Sequence, residues 1–297
     1  MSKKWIGNIM LFLAAMIWGA AFVAQTKAMD LMQPFTFQAS RFFLGGIVLL
    51  PVIACMDKKG NVKRPKTPAE KKYQLKCGMI CGLILFLACS PQQLGLMLDL
   101  PAGKSGFITS LYIILVPVFG LFLKKKVQPW VWISVVLALI GLYMLCGMGS
   151  FSLNLGEGLT LLCAIAFTFH IMFIDHVGSK VDGVRMSCTQ FFVSGFISLI
   201  VALITETPSW SSLIACWLPI AYTGILSSGV AYTLQILGQE KTEPTIASLL
   251  MSLEAVFSAI FGWLIIDQSL SWLELGGCAL VFIGVVIAQL PGKKQST

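Results

Sequence analysis

One carboxyl group lies in the middle of a long apolar stretch. Residues 244–266 form a run of 23 in which Glu254 is the one charged side chain, and Glu243 and Asp267 flank the run. At about 1.5 Å per residue, a helix of this length spans a hydrocarbon core of about 30 Å. Inserting a carboxyl group at mid-depth costs about 2.5–3.5 kcal/mol, so the group needs a partner or a wet cavity. We predict that Glu254 faces a central site; the alternative is a hydrogen bond to a neighbouring helix.

A second charge, Arg41, lies seven residues inside the outer end of the second apolar run, at a depth of about 10 Å. A guanidinium group stays charged in proteins and needs an anion or dipoles around it. Three interpretations remain open at this point. Arg41 binds a substrate carboxylate or phosphate, pairs with Glu254, or extends its side chain to the membrane surface.

Uncharged polar side chains accompany these two charges. Trp18 and Tyr112 fall near the midpoints of their apolar runs, where they either wall a cavity or pack ordinarily. Tyr232 and Gln235 are three residues apart and therefore share a helix face. Gln93 follows Pro91 and an adjacent Gln92, where an amide either satisfies backbone groups freed by the proline or contacts substrate. The candidate substrate-binding residues are Glu254, Arg41, Trp18, Gln93, Tyr112, Tyr232 and Gln235.

Composition places these residues in a membrane. Hydrophobic residues make up 57% of the 297-residue chain and charged residues 11%, against about 25% charged in a typical soluble domain. The net charge of +8 is spread over the loops, which excludes a nucleic-acid surface. The nine cysteines sit in apolar runs as packing residues, so we expect no metal, cofactor or disulfide. No hydrolase, P-loop or zinc motif occurs, and we expect a protein that is not an enzyme.

The apolar runs predict an all-α integral membrane protein. The ten predicted spans cover roughly 5–27, 34–56, 73–98, 101–123, 128–148, 155–175, 185–205, 213–238, 244–266 and 271–290. With the N-terminus inside, 17 of the 21 Lys and Arg residues fall at the cytoplasmic ends of these spans. By the positive-inside rule, both termini are cytoplasmic in a multi-pass protein of the inner (plasma) membrane.

The chain also repeats itself. The fourth and fifth spans resemble the ninth and tenth, with PVF at 117–119 corresponding to AVF at 255–257. An odd number of spans in each half requires the second copy to insert upside down. The sequence thus predicts two inverted five-helix repeats, in residues 1–150 and 151–297, with a substrate site near the midplane between them.

Several motifs, in order along nearly the whole chain, carry a resemblance to a family. They are Trp18-Gly19-Ala20-Ala21-Phe22, Pro34 to Arg41-Phe42, Ser110-Leu111-Tyr112, Ser252-Leu253-Glu254 and Gly276 to Gly284. With these motifs the sequence resembles EamA-like members of the drug/metabolite transporter superfamily. One departure is that Asp267-Gln268 stands where the family often has a Gly-Glu pair.

The resemblance implies a ten-helix inner-membrane carrier whose central cavity is lined by the first four helices of each half. Together with the midplane acid, it predicts a secondary active transporter that exports a small amino-acid-like or drug-like metabolite by alternating access. The alternative is a channel or facilitator without ion coupling. The expected partners are the substrate and the lipid bilayer, with protons as a candidate coupling ion and a homodimer as a candidate assembly.

Overall fold

The computed structural model describes residues 3–60, 63–124, 127–145, 154–266 and 271–289, and every regular element in those ranges is helical. Eight helices are long and apolar enough to cross a membrane, and two shorter apolar helices accompany them. In chain order the helices are α1 (Lys3–Met29), α2 (Pro34–Lys58), α3 (Pro68–Met97), α4 (Ala102–Thr109 and Tyr112–Phe122), α5 (Pro129–Leu145), α6 (Leu155–Val177), α7 (Gly183–Thr205), α8 (Trp217–Gln239), α9 (Pro244–Met251 and Leu253–Ile266) and α10 (Trp272–Ala288). These ten match the predicted spans and confirm the all-α membrane fold.

Helix boundaries follow local chemistry. Prolines begin α2, α5 and α9, at positions where the missing N–H has no intrahelical partner to lose. Helix α3 begins five residues earlier than predicted, because Thr67 and Glu70 form a reciprocal capping box. The charged residues just before Tyr73 therefore extend the helix beyond its apolar part.

Two helices predicted as continuous are interrupted at matching places. Helix α4 is interrupted at Ser110 and Leu111, and α9 at Ser252. After each serine the backbone tightens: Ile113 N–H bonds to Ser110 O at 3.0 Å, and Ala255 N–H bonds to Ser252 O at 3.2 Å. These interruptions align Ser110-Leu111-Tyr112 with Ser252-Leu253-Glu254. That register differs from the PVF and AVF correspondence predicted from sequence, and it also aligns Phe119-Gly120 with Phe261-Gly262.

Helix α8 also differs from the continuous α-helix that the sequence predicts. Residues Tyr222–Tyr232 form a π-helical segment between the α-helical ends Trp217–Ala221 and Thr233–Gln239. A short separate helix, Trp210–Ala215, precedes it. Wider turns of this kind are frequent at functional sites, and this one leads directly into Tyr232.

The helices pack in a pattern that is unchanged when α1–α5 and α6–α10 are exchanged. Helix α2 packs on α7, and α5 packs on α10. Helix α3 contacts α6 and α7, and its counterpart α8 contacts α1 and α2. Helix α1 packs on α9, and its counterpart α6 packs on α4. The α1–α9 contact is close, because a Cβ on Gly19 would lie 2.7 Å from the carbonyl carbon of Phe257.

The α2–α7 pair is held together at both ends. At one end Glu206, just after α7, accepts hydrogen bonds from the Phe35 and Thr36 N–H groups at 2.7 and 2.8 Å and thereby caps α2. At the other end Arg185 pairs with Asp57 at 2.5 Å. We call the end with Asp57, where α1 begins, the N-terminal face, and the end with Glu206 the opposite face.

Candidate functional site

A small cavity lies at the middle of the bundle, beside both helix interruptions. Its volume is about 30 Å³, enough for about one or two water molecules. Its walls come from α1, α2, α3, α4, α6, α8 and α9. The lining residues are Trp18, Phe22, Gln25, Arg41, Gln92, Tyr112, Phe167, Ile171, Ser227, Tyr232, Gln235, Met251 and Glu254.

Glu254 reaches this cavity from the first turn after the α9 interruption. Its side chain is buried, and its Oε1 accepts a hydrogen bond from the Tyr112 hydroxyl at 2.9 Å. Tyr112 occupies the corresponding first turn of the second α4 segment. The two interrupted helices therefore bring a carboxyl group and a phenol together at mid-depth, which fits both sequence interpretations of Glu254.

Arg41 is buried rather than extended to the membrane surface, with 2% of its surface exposed. Its Nη1 donates to Gln25 Oε1 at 2.7 Å, and its Cζ lies 4.7 Å from the centroid of the Phe42 ring. Its Nε and Nη2 have no hydrogen-bond partner in the described residues. Arg41 and Glu254 line the same cavity, but no ion pair joins them in the described part of the chain. Arg41 thus holds unused donors beside a cavity that also contains an acid.

Aromatic side chains wall the cavity at the same depth. Trp18 and Tyr232 meet edge to face, with ring centroids 4.8 Å apart. The Tyr232 hydroxyl contacts Cys89 Sγ at 3.5 Å, while Trp18 Nε1 is buried and has no hydrogen-bond partner in the described residues. The indole N–H is therefore a second free donor at this site.

Besides Gln25, two more amides line the cavity, from α3 and α8. Gln235 is buried, and its Oε1 lacks a partner in the described residues, which makes it a free acceptor. Gln92 also lines the cavity and donates to Thr109 Oγ1 at 3.0 Å. The neighbouring Gln93 is buried but is not among the lining residues. Adjacent helical residues point about 100° apart, so only one of the two amides can face the cavity.

The structure thus brings six of the seven candidate residues to one cavity. These are Glu254, Arg41, Trp18, Tyr112, Tyr232 and Gln235. Sequence reasoning considers Gln92 beside Gln93 without choosing it, and it misses the lining side chains Phe22, Gln25, Phe167, Ile171, Ser227 and Met251. Asp267 and Gln268, the departure from the family pattern, lie outside the described residues.

His170 belongs to a separate polar cluster behind the cavity wall. Its Nε2 lies 3.1 Å from Gln190 Oε1 and 3.4 Å from Cys81 Sγ, and the Cys81 thiol donates to the same amide oxygen. Within the described ranges, no group of three His, Cys, Asp or Glu side chains could hold a metal ion. This cluster joins α3, α6 and α7 as packed polar contacts.

Comparison with known proteins relates this arrangement to transporters. A sequence model of the EamA-like transporter family matches residues 5–147 and again residues 154–289. An uncharacterized transporter of Archaeoglobus fulgidus is 30% identical over 97% of this chain and 87% of its own length. Protein PecM of Dickeya dadantii is 24% identical over 94% of this chain and 90% of its own. A solved crystal structure superimposes with a TM-score of 0.75 at 20% identity, covering 95% of this chain and 96% of that one.

Proposed function

The chain belongs to the EamA-like transporter family, and from this we propose that it is a secondary active transporter of a small metabolite. The metabolite binds in the central cavity, at Glu254, Arg41, Trp18, Tyr112, Tyr232 and Gln235. One observation carries the proposal: buried polar atoms without partners converge on this cavity from several helices. A buried polar atom without a hydrogen bond costs about 1–3 kcal/mol, and a polar substrate removes that cost when it binds.

The charges favour an amino-acid-like substrate over a neutral drug-like one. Arg41 Nε and Nη2 are free to donate to a carboxylate, for which a guanidinium group has matching geometry. Glu254 offers a carboxyl group to an ammonium group on the same cavity. The aromatic pair of Trp18 and Tyr232 supplies an apolar wall. A zwitterion with a short apolar part satisfies all three.

Transport follows alternating access, because a cavity of about 30 Å³ is smaller than any such substrate. The helices must separate on one side to admit the solute and on the other to release it. We assign the moving units to the halves 1–150 and 151–297, as inverted repeats. The family model matches once in each half, and the helix contacts correspond when the halves are exchanged. The two interruptions give α4 and α9 the discontinuity common at transporter sites.

We place the N-terminal face in the cytoplasm, because 17 of the 21 Lys and Arg residues are predicted at that side. The direction that we propose is export. Substrate then enters from the N-terminal face and leaves at the face where Glu206 caps α2.

A counterflow experiment tests the function. Purified protein in liposomes is loaded with a pool of zwitterionic amino acids, and uptake of each labelled member is followed. A carrier gives saturable, substrate-specific counterflow that Glu254→Gln abolishes, while Glu274→Gln, on the α10 capping box, retains it. Flux that never saturates and shows no counterflow would instead establish the channel alternative.

A further inference from the structure

A second concavity lies on the outside of the helix bundle, between α1, α9 and the end of α10 at the N-terminal face. We call it the α1–α10 groove. Its volume is about 580 Å³, within the range of about 300–1,000 Å³ typical of small-molecule sites. It shares no lining residue with the central cavity.

Most of the α1–α10 groove is apolar. Trp5, Ile9 and Phe12 line it along one face of α1, and Leu250 lines it from α9. Trp5 and Ile9 have 63% and 39% of their surface exposed, so in a membrane-spanning chain this side of the groove faces lipid. From Lys4 to Phe12 the helix rises by about 12 Å, close to the roughly 15 Å of hydrocarbon in one leaflet. The groove therefore has the length and the polarity to hold an acyl chain.

The other end of the groove presents hydrogen-bond donors. Thr242 Oγ1 donates to Asn8 Oδ1 at 3.2 Å, and Asn8 Nδ2 donates to Gln289 Oε1 at 2.6 Å. This chain of hydrogen bonds ends at Gln289 Nε2, which is buried and has no partner in the described residues. Lys4 lines the same end and forms no ion pair with any described residue. Both unused groups are donors, and none of the described lining residues carries a carboxyl group.

We propose that the α1–α10 groove binds one anionic phospholipid. Its phosphate accepts hydrogen bonds from the Lys4 ammonium group and from Gln289 Nε2, and one acyl chain lies along Ile9 and Phe12. A phosphodiester supplies the charged acceptor that both donors lack, and a lysine beside the membrane surface favours a lipid with a net negative charge. The bound lipid bridges the first and the last helix of the chain. This proposal does not depend on the transported solute.

Lipid preference is measured by native mass spectrometry of delipidated protein in detergent. The protein is offered equal amounts of a phosphatidylglycerol and a phosphatidylcholine with the same acyl chains. The first lipid bound should be phosphatidylglycerol about fivefold more often, and Lys4→Gln should bring the two lipids to near equality. Lys3→Gln is the matched control, because it removes the same charge one position away, outside the groove lining. Equal binding of the two lipids to the unmodified chain, or an equal effect of both variants, overturns the site.

The amide donor is tested with Gln289→Glu. This variant keeps the shape and the acceptor for Asn8, but it replaces Nε2 with an oxygen and adds a negative charge. Phosphatidylglycerol binding should fall about tenfold, with an unchanged melting temperature. Gln128→Glu adds the same charge at an exposed position of the N-terminal face, outside the groove lining, and should keep the binding. No change in Gln289→Glu, or an equal loss in both variants, overturns the contact with the phosphate.

The acyl-chain part of the groove is tested by filling it. Ile9→Trp should abolish the preference for phosphatidylglycerol, while Leu13→Trp, at an exposed position of α1 outside the lining, should retain it. The same spectra count protein chains. A dimer that Ile9→Trp dissociates, with no lipid preference in the unmodified chain, would show that a second copy of the chain covers the groove and would overturn the lipid site.

Discussion

The Tyr112 hydroxyl donates a hydrogen bond to Glu254 Oε1 across 2.9 Å, and each residue lies just after the interruption of its own helix. The two serine-leucine pairs before them, Ser110-Leu111 and Ser252-Leu253, put a phenol and a carboxyl group at corresponding positions of α4 and α9. The bond therefore joins the two halves of the chain at the cavity. Substitution of Glu254 distinguishes a purely structural hydrogen bond from one that takes part in transport.

Glu254→Gln keeps size and hydrogen bonding but removes the charge. A purely structural bond would make this change mild, because interhelical hydrogen bonds in membranes average about 0.6 kcal/mol. We expect transport to fall about tenfold or more at normal expression, since hydrogen bonds to charged groups contribute about 1.5–3 kcal/mol. If Glu254 also carries a coupling proton, the pH dependence of transport flattens in the variant. Full activity from pH 5.5 to 8.5 would remove Glu254 from the mechanism.

Arg41→Lys tests the anion-binding role of the guanidinium group. A lysine keeps the charge but cannot offer two parallel donors while holding Gln25. We expect the substrate's apparent affinity to fall about tenfold, with a further fall in Arg41→Gln. Arg64→Lys, at an exposed position of the N-terminal face, is the matched control. Unchanged kinetics in both Arg41 variants would leave it a packing role only.

Gly19→Ala should destabilise the fold through the α1–α9 contact. An added Cβ would overlap the backbone of Phe257, which cannot move aside as a flexible side chain could. The cost of such overpacking is about 1–3 kcal/mol, read as a lower melting temperature in detergent. Gly158→Ala, in α6, is the control, since a Cβ there meets no atom within 4 Å. Equal melting temperatures for the two variants would show that α1 and α9 are not so closely packed.

Glu206→Ala should loosen the start of α2. It removes the acceptor for two backbone N–H groups and for the Thr36 hydroxyl. We expect a loss of about 1–2 kcal/mol in the free energy of unfolding. Hydrogen exchange should quicken at residues 35–38 and stay unchanged at the start of α3, which has its own capping box. Uniform exchange across both helices would contradict a local cap.

Topology is tested with a reporter. A reporter enzyme fused after Lys294, which lies outside the described residues, should be active only in the cytoplasm, as should one inserted in the loop between α2 and α3. Activity of either reporter on the outer side would reverse the orientation and, with it, the proposed side of substrate entry.

Sequence reasoning predicts much of the cavity lining because depth along a helix can be read from residue numbers. Glu254 and Tyr112 are predicted near mid-depth and Arg41 at a depth of about 10 Å, and all three line the cavity. Rotation about the helix axis is harder to read, which is why Gln93 was named where Gln92 faces the cavity. Gln25 was missed because it lies near the end of α1, where a polar residue is expected to meet the membrane surface.

The helix interruptions escaped prediction for a different reason. Neither Ser110 nor Ser252 is a proline or glycine, so neither carries an ordinary signal for a break. The sequence does carry one signal, because Ser-Leu occurs at 110–111 and again at 252–253. These two pairs are 142 residues apart, the same separation as between Tyr112 and Glu254. Reading the repeat in that register, rather than through PVF and AVF, would have aligned Tyr112 with Glu254.

The contacts at both ends of the α2–α7 pair limit how these two helices can move against each other. Glu206 ties one end of the pair, Arg185 and Asp57 tie the other, and the rings of Phe42 and Phe191 stack between them with centroids 6.0 Å apart. Contacts at both ends and in the middle oppose sliding of one helix along the other. Under the proposed function, we expect the α2–α7 contact to persist in every state of transport while the two halves rock about it.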